Sequence, residues 1–179
     1  MKTYTLKVAG LTRELPICSV GDDLDIAAFI MFSDVELTVK TAEELLKLCP
    51  DFDVIVSAEA KGIPIAYEMA RQSGKPYVIG RKSLKFYMTD PISVKVKSIT
   101  TANVQTLCLS QEHIGLIKDK RVLIVDDVIS TGESLIALEK LVNAAGGIIV
   151  GKAAVLAEGA SADRDDIIFL EKLPVFPKK

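Results

Sequence analysis

The sequence predicts an α/β protein: a single domain with a mostly parallel sheet flanked by helices. Three observations carry that expectation. Short apolar runs such as Val54-Ile55-Val56, Tyr77-Val78-Ile79 and Val122-Leu123-Ile124-Val125 are continuous rather than alternating, as strands covered on both faces are. Helical stretches lie between them, and in the last of these Leu135, Leu138, Leu141 and Val142 recur at helical spacing. The length, 179 residues, suits one such domain, and a hydrophobic share of 49% is enough to fill its core.

The elements follow in order. Tyr4 to Val8 alternates as a strand does, Gly10 turns the chain, and Arg13 to Ile17 reads as the partner strand. Asp23 to Phe32 is apolar and reads as a short helix. Thr41-Ala42-Glu43-Glu44 fits a capping box, so a helix is expected from Thr41 to about Leu48, with Pro50 beyond it. After the strand Val54 to Val56, a helix from Ile63 to about Gln72 stops at Gly74. The strand Tyr77 to Ile79 follows. Ser83 to Thr106 is polar, with alternation in Ser93-Val94-Lys95-Val96-Lys97, and reads as a long hairpin or flap. Arg121 to Val125 is a buried strand. Glu133 to Ala145 is a helix ended by Gly146-Gly147, and Ile148 to Leu156 and Ile167 to Leu170 supply two more strands. In sheets of this kind ligands bind at the carboxyl ends of the strands.

Composition narrows the function. A net charge of −2 gives no general drive toward nucleic acid or an anionic membrane, so neither is an expected partner. No apolar run has the length of a membrane span, and Met1 to Gly10 lacks the apolar centre of a signal peptide. Cys18, Cys49 and Cys108 are scattered and form no CxxC pair, as expected of reduced thiols in a cytoplasmic protein. His113 is the sole histidine, which excludes a multi-histidine metal site.

The chemistry is concentrated in Val122-Leu123-Ile124-Val125-Asp126-Asp127-Val128-Ile129-Ser130-Thr131-Gly132-Glu133-Ser134. Two adjacent carboxylates at a strand's carboxyl end suit the vicinal hydroxyls of a ribose. The loop Ser130 to Ser134 opens a helix, whose first N–H groups lack partners and favour a phosphate. Gly132 lets the backbone approach, and Thr131 and Ser134 add hydroxyl donors. There is no GxxxxGK[ST] P-loop and no GxGxxG fingerprint.

This string resembles the phosphoribosyl pyrophosphate signature of the type I phosphoribosyltransferases. The resemblance implies that Asp126 and Asp127 hold the ribose hydroxyls, that Ser130, Thr131, Gly132, Glu133 and Ser134 hold the 5′-phosphate, and that Mg²⁺ bridges pyrophosphate and ribose. That ion is expected to be held mainly through substrate, with Asp126 as a candidate protein ligand. Ser57-Ala58-Glu59-Ala60-Lys61-Gly62 is similar to the pyrophosphate loop of the adenine branch, where Lys61 neutralises the leaving group. Arg81-Lys82 stands where the family carries a basic pair facing pyrophosphate. The segment Lys82 to Leu109, with Lys85, Lys95, Lys97 and Ser98-Ile99-Thr100-Thr101, looks like the family's flexible loop, centred on residues 83–106. The hood over the base would be Leu11 to Phe32.

The implied reaction transfers ribose 5-phosphate from phosphoribosyl pyrophosphate to a purine, with Asp127, Asp126 and Lys61 as the catalytic set and Asp127 or Glu59 as candidate general base. The tail Leu156 to Phe176, with Arg164-Asp165-Asp166 and Leu173-Pro174-Val175-Phe176, is similar to adenine enzymes. Arg81-Lys82-Ser83-Leu84 and Val96-Lys97-Ser98-Ile99-Thr100 look more like xanthine phosphoribosyltransferases. Adenine is favoured, with xanthine or another 6-oxopurine, or a non-enzymatic phosphoribosyl pyrophosphate-binding regulator, as alternatives. By resemblance the protein is a homodimer. A receiver or phosphatase fits less well, because those place Asp-x-Asp after an early strand.

Overall fold

The computed structural model describes residues 2–97 and 104–178. Its centre is a five-stranded parallel sheet built from β4 (Val54–Ala58), β5 (Tyr77–Gly80), β8 (Arg121–Ile129), β9 (Ile148–Glu158) and β10 (Ile168–Leu173), in the order β10-β9-β8-β4-β5. β4 leads to β5 on one side, whereas β8, β9 and β10 extend on the other. The direction of winding therefore reverses between β4 and β8, and a crevice opens there at the carboxyl ends of the strands.

Strand alternation divides the core in two. Ile55, Leu123, Val125, Ala153 and Val155 face α1 (Val35–Leu48) and α2 (Ile63–Ser73), which contribute Leu37, Leu45, Ile65 and Met69. Val54, Val56, Val122, Ile124 and Ala154 face α4 (Glu133–Ala144), which contributes Leu135, Leu138, Leu141 and Val142. Most of these side chains are sealed from solvent, and each such Leu, Ile or Val contributes about 1.5–3 kcal/mol. The helical periodicity and the continuous strand runs thus have one cause: each helix covers one face of a sheet covered on both.

A second, four-stranded sheet joins β1 (Thr3–Val8), β2 (Leu11–Val20), β3 (Leu24–Ala27) and β11 (Val175–Pro177). The short helix expected over Asp23 to Phe32 is not formed. Leu24 to Ala27 pairs with β2 and with the carboxyl-terminal β11, and Ala28 to Phe32 continues without helix. Partner strands on both sides satisfy the backbone there, and β11 lies about 150 residues away in sequence, so no local pattern announces it.

The capping box is also not the start of its helix. α1 begins at Val35, where the Asp34 carboxylate accepts the Leu37 N–H at 3.0 Å. Thr41 is buried inside the helix, and its hydroxyl donates to the Leu37 carbonyl at 2.7 Å.

The polar stretch does form a hairpin, of β6 (Ile92–Lys97) and β7 (Val104–Leu109), antiparallel and packed on α4. It begins later than Ser83 and ends beyond Thr106. Ser98-Ile99-Thr100-Thr101 lies outside the described residues. α3 (Gln111–Ile117) is an element the sequence pattern did not suggest. β8 runs four residues past Val125, so Asp126 and Asp127 lie within its last part rather than after it.

Candidate active site

The crevice between β4 and β8 follows from unequal pairing. β8 bonds β4 only from Val54↔Val122 to Val56↔Ile124, but stays paired with β9 to Ile129↔Ala157. The last stretch of β8 is therefore held from one side only, and its other side opens on a cleft of about 840 Å³. Glu59, Ala60, Lys61, Lys82, Asp126, Asp127, Ser130 and Ser134 border it, which brings most of the sequence-predicted residues together. Ile26 to Ile30, from the end of β3 and the segment after it, also line the cleft.

A smaller concavity of about 30 Å³ continues from the cleft and is lined by Asp126 and by Val128 to Leu135, including Thr131, Gly132 and Glu133. Gly132 has φ +81°, which glycine adopts without the strain an L side chain meets, and it precedes the first turn of α4. The first N–H groups of a helix have no intrahelical acceptor, and those of α4 border this cradle. The loop is braced from behind: Ser161, in the 3₁₀ turn Gly159–Asp163, donates its hydroxyl to the Ser130 carbonyl.

The two aspartates differ. Asp127 is nearly sealed, and Lys61 Nζ lies 3.3 Å from its Oδ2 in an ion pair. That Oδ2 accepts no hydrogen bond among the described residues. Asp126 accepts the Asp127 N–H at 2.9 Å, yet burial first and the neighbouring Asp127 charge second hold its carboxyl well above the usual range.

Gly62 stands against this pair. A Cβ there would lie 2.3 Å from Ser57 Oγ and 2.8 Å from Asp126 Oδ1, so only glycine lets the Glu59-to-Gly62 loop close on β8. The Glu59–Ala60 peptide is cis.

Glu59 is committed to its own surroundings. It forms an ion pair with Arg81 (Oε1 to Nε, 2.7 Å) and accepts the Lys82 N–H at 2.8 Å. Burial opposes its ionisation, but that hydrogen bond and the Arg81 charge outweigh it and lower its pKa. It is poorly suited to act as a general base. Arg81 does not border the cleft. Its backbone exchanges hydrogen bonds with Cys108, which ties the hairpin to the end of β5.

Three further residues belong to the site. Ser57, whose buried hydroxyl has no hydrogen-bond partner among the described residues, underlies Gly62. Arg164 Nη1 comes within 2.9 Å of where a Gly132 Cβ would stand, with its Nε and Nη2 donating to Asp166. Glu158 ends β9 and borders the cleft. The sequence marked these three only within larger strings, Ser57 in the loop Ser57 to Gly62 and Glu158 and Arg164 in the tail Leu156 to Phe176; strand pairing brings Ser57 and Glu158 to the site.

Among the described residues no three His, Cys, Asp or Glu side chains gather as a metal-binding group. A divalent ion therefore finds no complete protein ligand set. The Asp126 carboxyl fits as a single donor to an ion carried in on a polyphosphate.

Fold and site define a doubly wound α/β protein whose cleft, at the reversal of its sheet, adjoins both a paired acidic strand end and an anion-suited helix start. A profile of the phosphoribosyl transferase domain matches residues 40–176, and the chain belongs to that family. It is 39% identical over 114 residues to a hypoxanthine/guanine phosphoribosyltransferase of Methanothrix thermoacetophila, covering 64% of this chain and 56% of that protein. It is 30% identical to a xanthine phosphoribosyltransferase of Brevibacillus brevis (79% and 73% covered) and 35% identical to an adenine phosphoribosyltransferase of Rhodococcus jostii (75% and 74%). The crystal structure of adenine phosphoribosyltransferase from Thermoanaerobacter pseudethanolicus superposes with a TM-score of 0.66 at 26% identity, covering 79% of this chain and 83% of that one.

Proposed function

We propose that this protein is a purine phosphoribosyltransferase of nucleotide salvage, with adenine the favoured base. The observation that carries the reading is the placement of Asp126 and Asp127 where β8 parts from β4, directly ahead of the cradle at the start of α4. Ribose hydroxyls meet the two carboxylates, and the 5′-phosphate enters the cradle of Ser130 to Ser134, with Arg164 behind it. The pyrophosphate lies against Ala60, Lys61 and Lys82, while Glu59 holds Arg81 and the Lys82 N–H in place.

In the reaction a purine ring nitrogen forms a bond to the anomeric carbon as its bond to the pyrophosphate oxygen breaks. The electron pair leaves on pyrophosphate, and the nitrogen's proton is released. Mg²⁺, when bound with the substrate, spreads the charge of the leaving group. Lys61 adds a point charge to the same end, and Asp126 and Asp127 orient the ribose while the anomeric carbon gains positive charge. The hood and the hairpin exclude water from that carbon. The protein is read as one domain, cytoplasmic and a homodimer.

A second reading, a 6-oxopurine enzyme, is favoured by the hypoxanthine/guanine and xanthine relatives, whose identities are similar to that of the adenine relative. The test offers adenine, guanine, hypoxanthine, xanthine and uracil with phosphoribosyl pyrophosphate and Mg²⁺, and reads nucleotide and pyrophosphate. Adenine is the expected substrate. Tight binding of phosphoribosyl pyrophosphate with no product from any base would replace the enzyme with a regulator.

A further inference from the structure

The cleft carries one carboxylate for which the ribose and phosphate chemistry has no use. Glu158 ends β9, beside Leu173 of β10 and one residue beyond the Ile129↔Ala157 pair that joins β9 to the end of β8. Its half-buried side chain borders the same cleft as Lys61 and Asp127. It makes no hydrogen bond or ion pair among the described residues, although Lys61 is near enough to act on its charge. Burial raises its pKa and the Lys61 charge opposes that shift.

An unpartnered carboxylate in such surroundings is unfavourable until a donor meets it. It repels phosphate, so the group it meets belongs to the end of the substrate assembly that carries N–H donors. Its surroundings have the character of a binding place for a flat, largely apolar ring: Ala27, Phe29 and Ile30 come from the hood, Val128 from β8 and Leu173 from β10. At the position of an exocyclic substituent a purine presents either an amino group, which donates, or an oxo group, which only accepts. A carboxylate accepts from the first and repels the second.

We infer that Glu158 is the residue that reads the purine, accepting a hydrogen bond from its exocyclic amino group and so selecting amino-bearing purines over those carrying oxo groups alone. This rests on the phosphoribosyltransferase reading above and names the substrate class of that site.

The test compares the wild-type protein with Glu158→Gln and Glu158→Leu on adenine, guanine, hypoxanthine and xanthine, with phosphoribosyl pyrophosphate varied separately and folding checked by thermal melting. Wild type is expected to prefer adenine or guanine. Glu158→Gln, whose amide also donates, narrows the amino-over-oxo ratio of kcat/KM by about tenfold or more. Glu158→Leu raises KM for the amino purine by a similar factor. KM for phosphoribosyl pyrophosphate stays unchanged in both. A wild-type preference for hypoxanthine or xanthine would overturn the assignment and leave the enzyme standing. So would a base ranking unchanged by both variants, or an equal loss on every base. No product from wild type with any base would withdraw both.

Discussion

Lys61 Nζ lies 3.3 Å from Oδ2 of Asp127, a buried carboxylate oxygen that accepts no hydrogen bond among the described residues. One comes from the loop after β4 and the other from β8, so their contact spans the crevice at which the sheet reverses. The ammonium balances the buried charge and stands at the mouth of the cleft, where a polyanion would draw it outward.

Lys61→Ala removes both roles. KM for phosphoribosyl pyrophosphate should rise about tenfold or more, from loss of a charge-assisted contact. The free protein should also melt at a lower temperature, because Asp127 is left buried and unpaired. Steady-state kinetics and a melting curve check the two effects separately, and an unchanged KM would remove Lys61 from the pyrophosphate site.

Asp126 should show the opposite balance between stability and binding. Its pKa is raised by burial and by Asp127, so the folded protein holds this proton more tightly than the unfolded chain does. The native state is therefore penalised increasingly as pH rises from the unfolded carboxylate range through the raised folded pKa. Asp126→Asn removes that penalty and keeps an acceptor for the Asp127 N–H. At pH 8 the variant should melt higher by roughly 2–4 °C per 1 kcal/mol relieved, with the gain shrinking toward pH 4. Affinity for phosphoribosyl pyrophosphate should fall. A variant less stable than wild type at pH 8 would contradict this account of Asp126.

Gly62→Ala tests the closure of the loop on β8. The added methyl would lie 2.3 Å from Ser57 Oγ and 2.8 Å from Asp126 Oδ1. Overpacking of this kind costs about 1–3 kcal/mol. The double variant Gly62→Ala/Ser57→Gly should recover part of the loss in chemical denaturation, since it removes the nearer of the two obstacles.

Gly132→Ala acts at the phosphate cradle. It forces an L residue to φ +81° and brings a methyl within 2.9 Å of Arg164 Nη1. The positive φ alone costs roughly 1–2 kcal/mol. Calorimetry with ribose 5-phosphate should show a loss of affinity far exceeding that of Ser161→Ala, which removes only the brace behind Ser130.

The sequence made much of this site legible because its residues are contiguous. Asp126, Asp127 and the cradle occupy nine positions in a row, with a strand before and a helix after, so spacing alone places them together. The loop Glu59 to Gly62 was legible for the same reason. What was not legible depends on distant pairing. Leu24 to Ala27 is a strand because β11 lies beside it, and Glu158 enters the cleft because β9 keeps pace with β8 to its end. Thr41 misled because a threonine hydroxyl bonds an interior helix carbonyl as readily as it caps a helix. Arg81, a plausible anion ligand by sequence, is turned to Glu59, whose negative charge is the nearer partner.

The most direct measurement is conversion of adenine and phosphoribosyl pyrophosphate to AMP and pyrophosphate by wild type and Asp127→Asn in Mg²⁺. Wild type should turn over, and the variant should retain its fold while losing kcat by about a hundredfold, as removal of a transition-state charge does. Equal turnover by the two proteins, or none by wild type on any purine, would contradict the account.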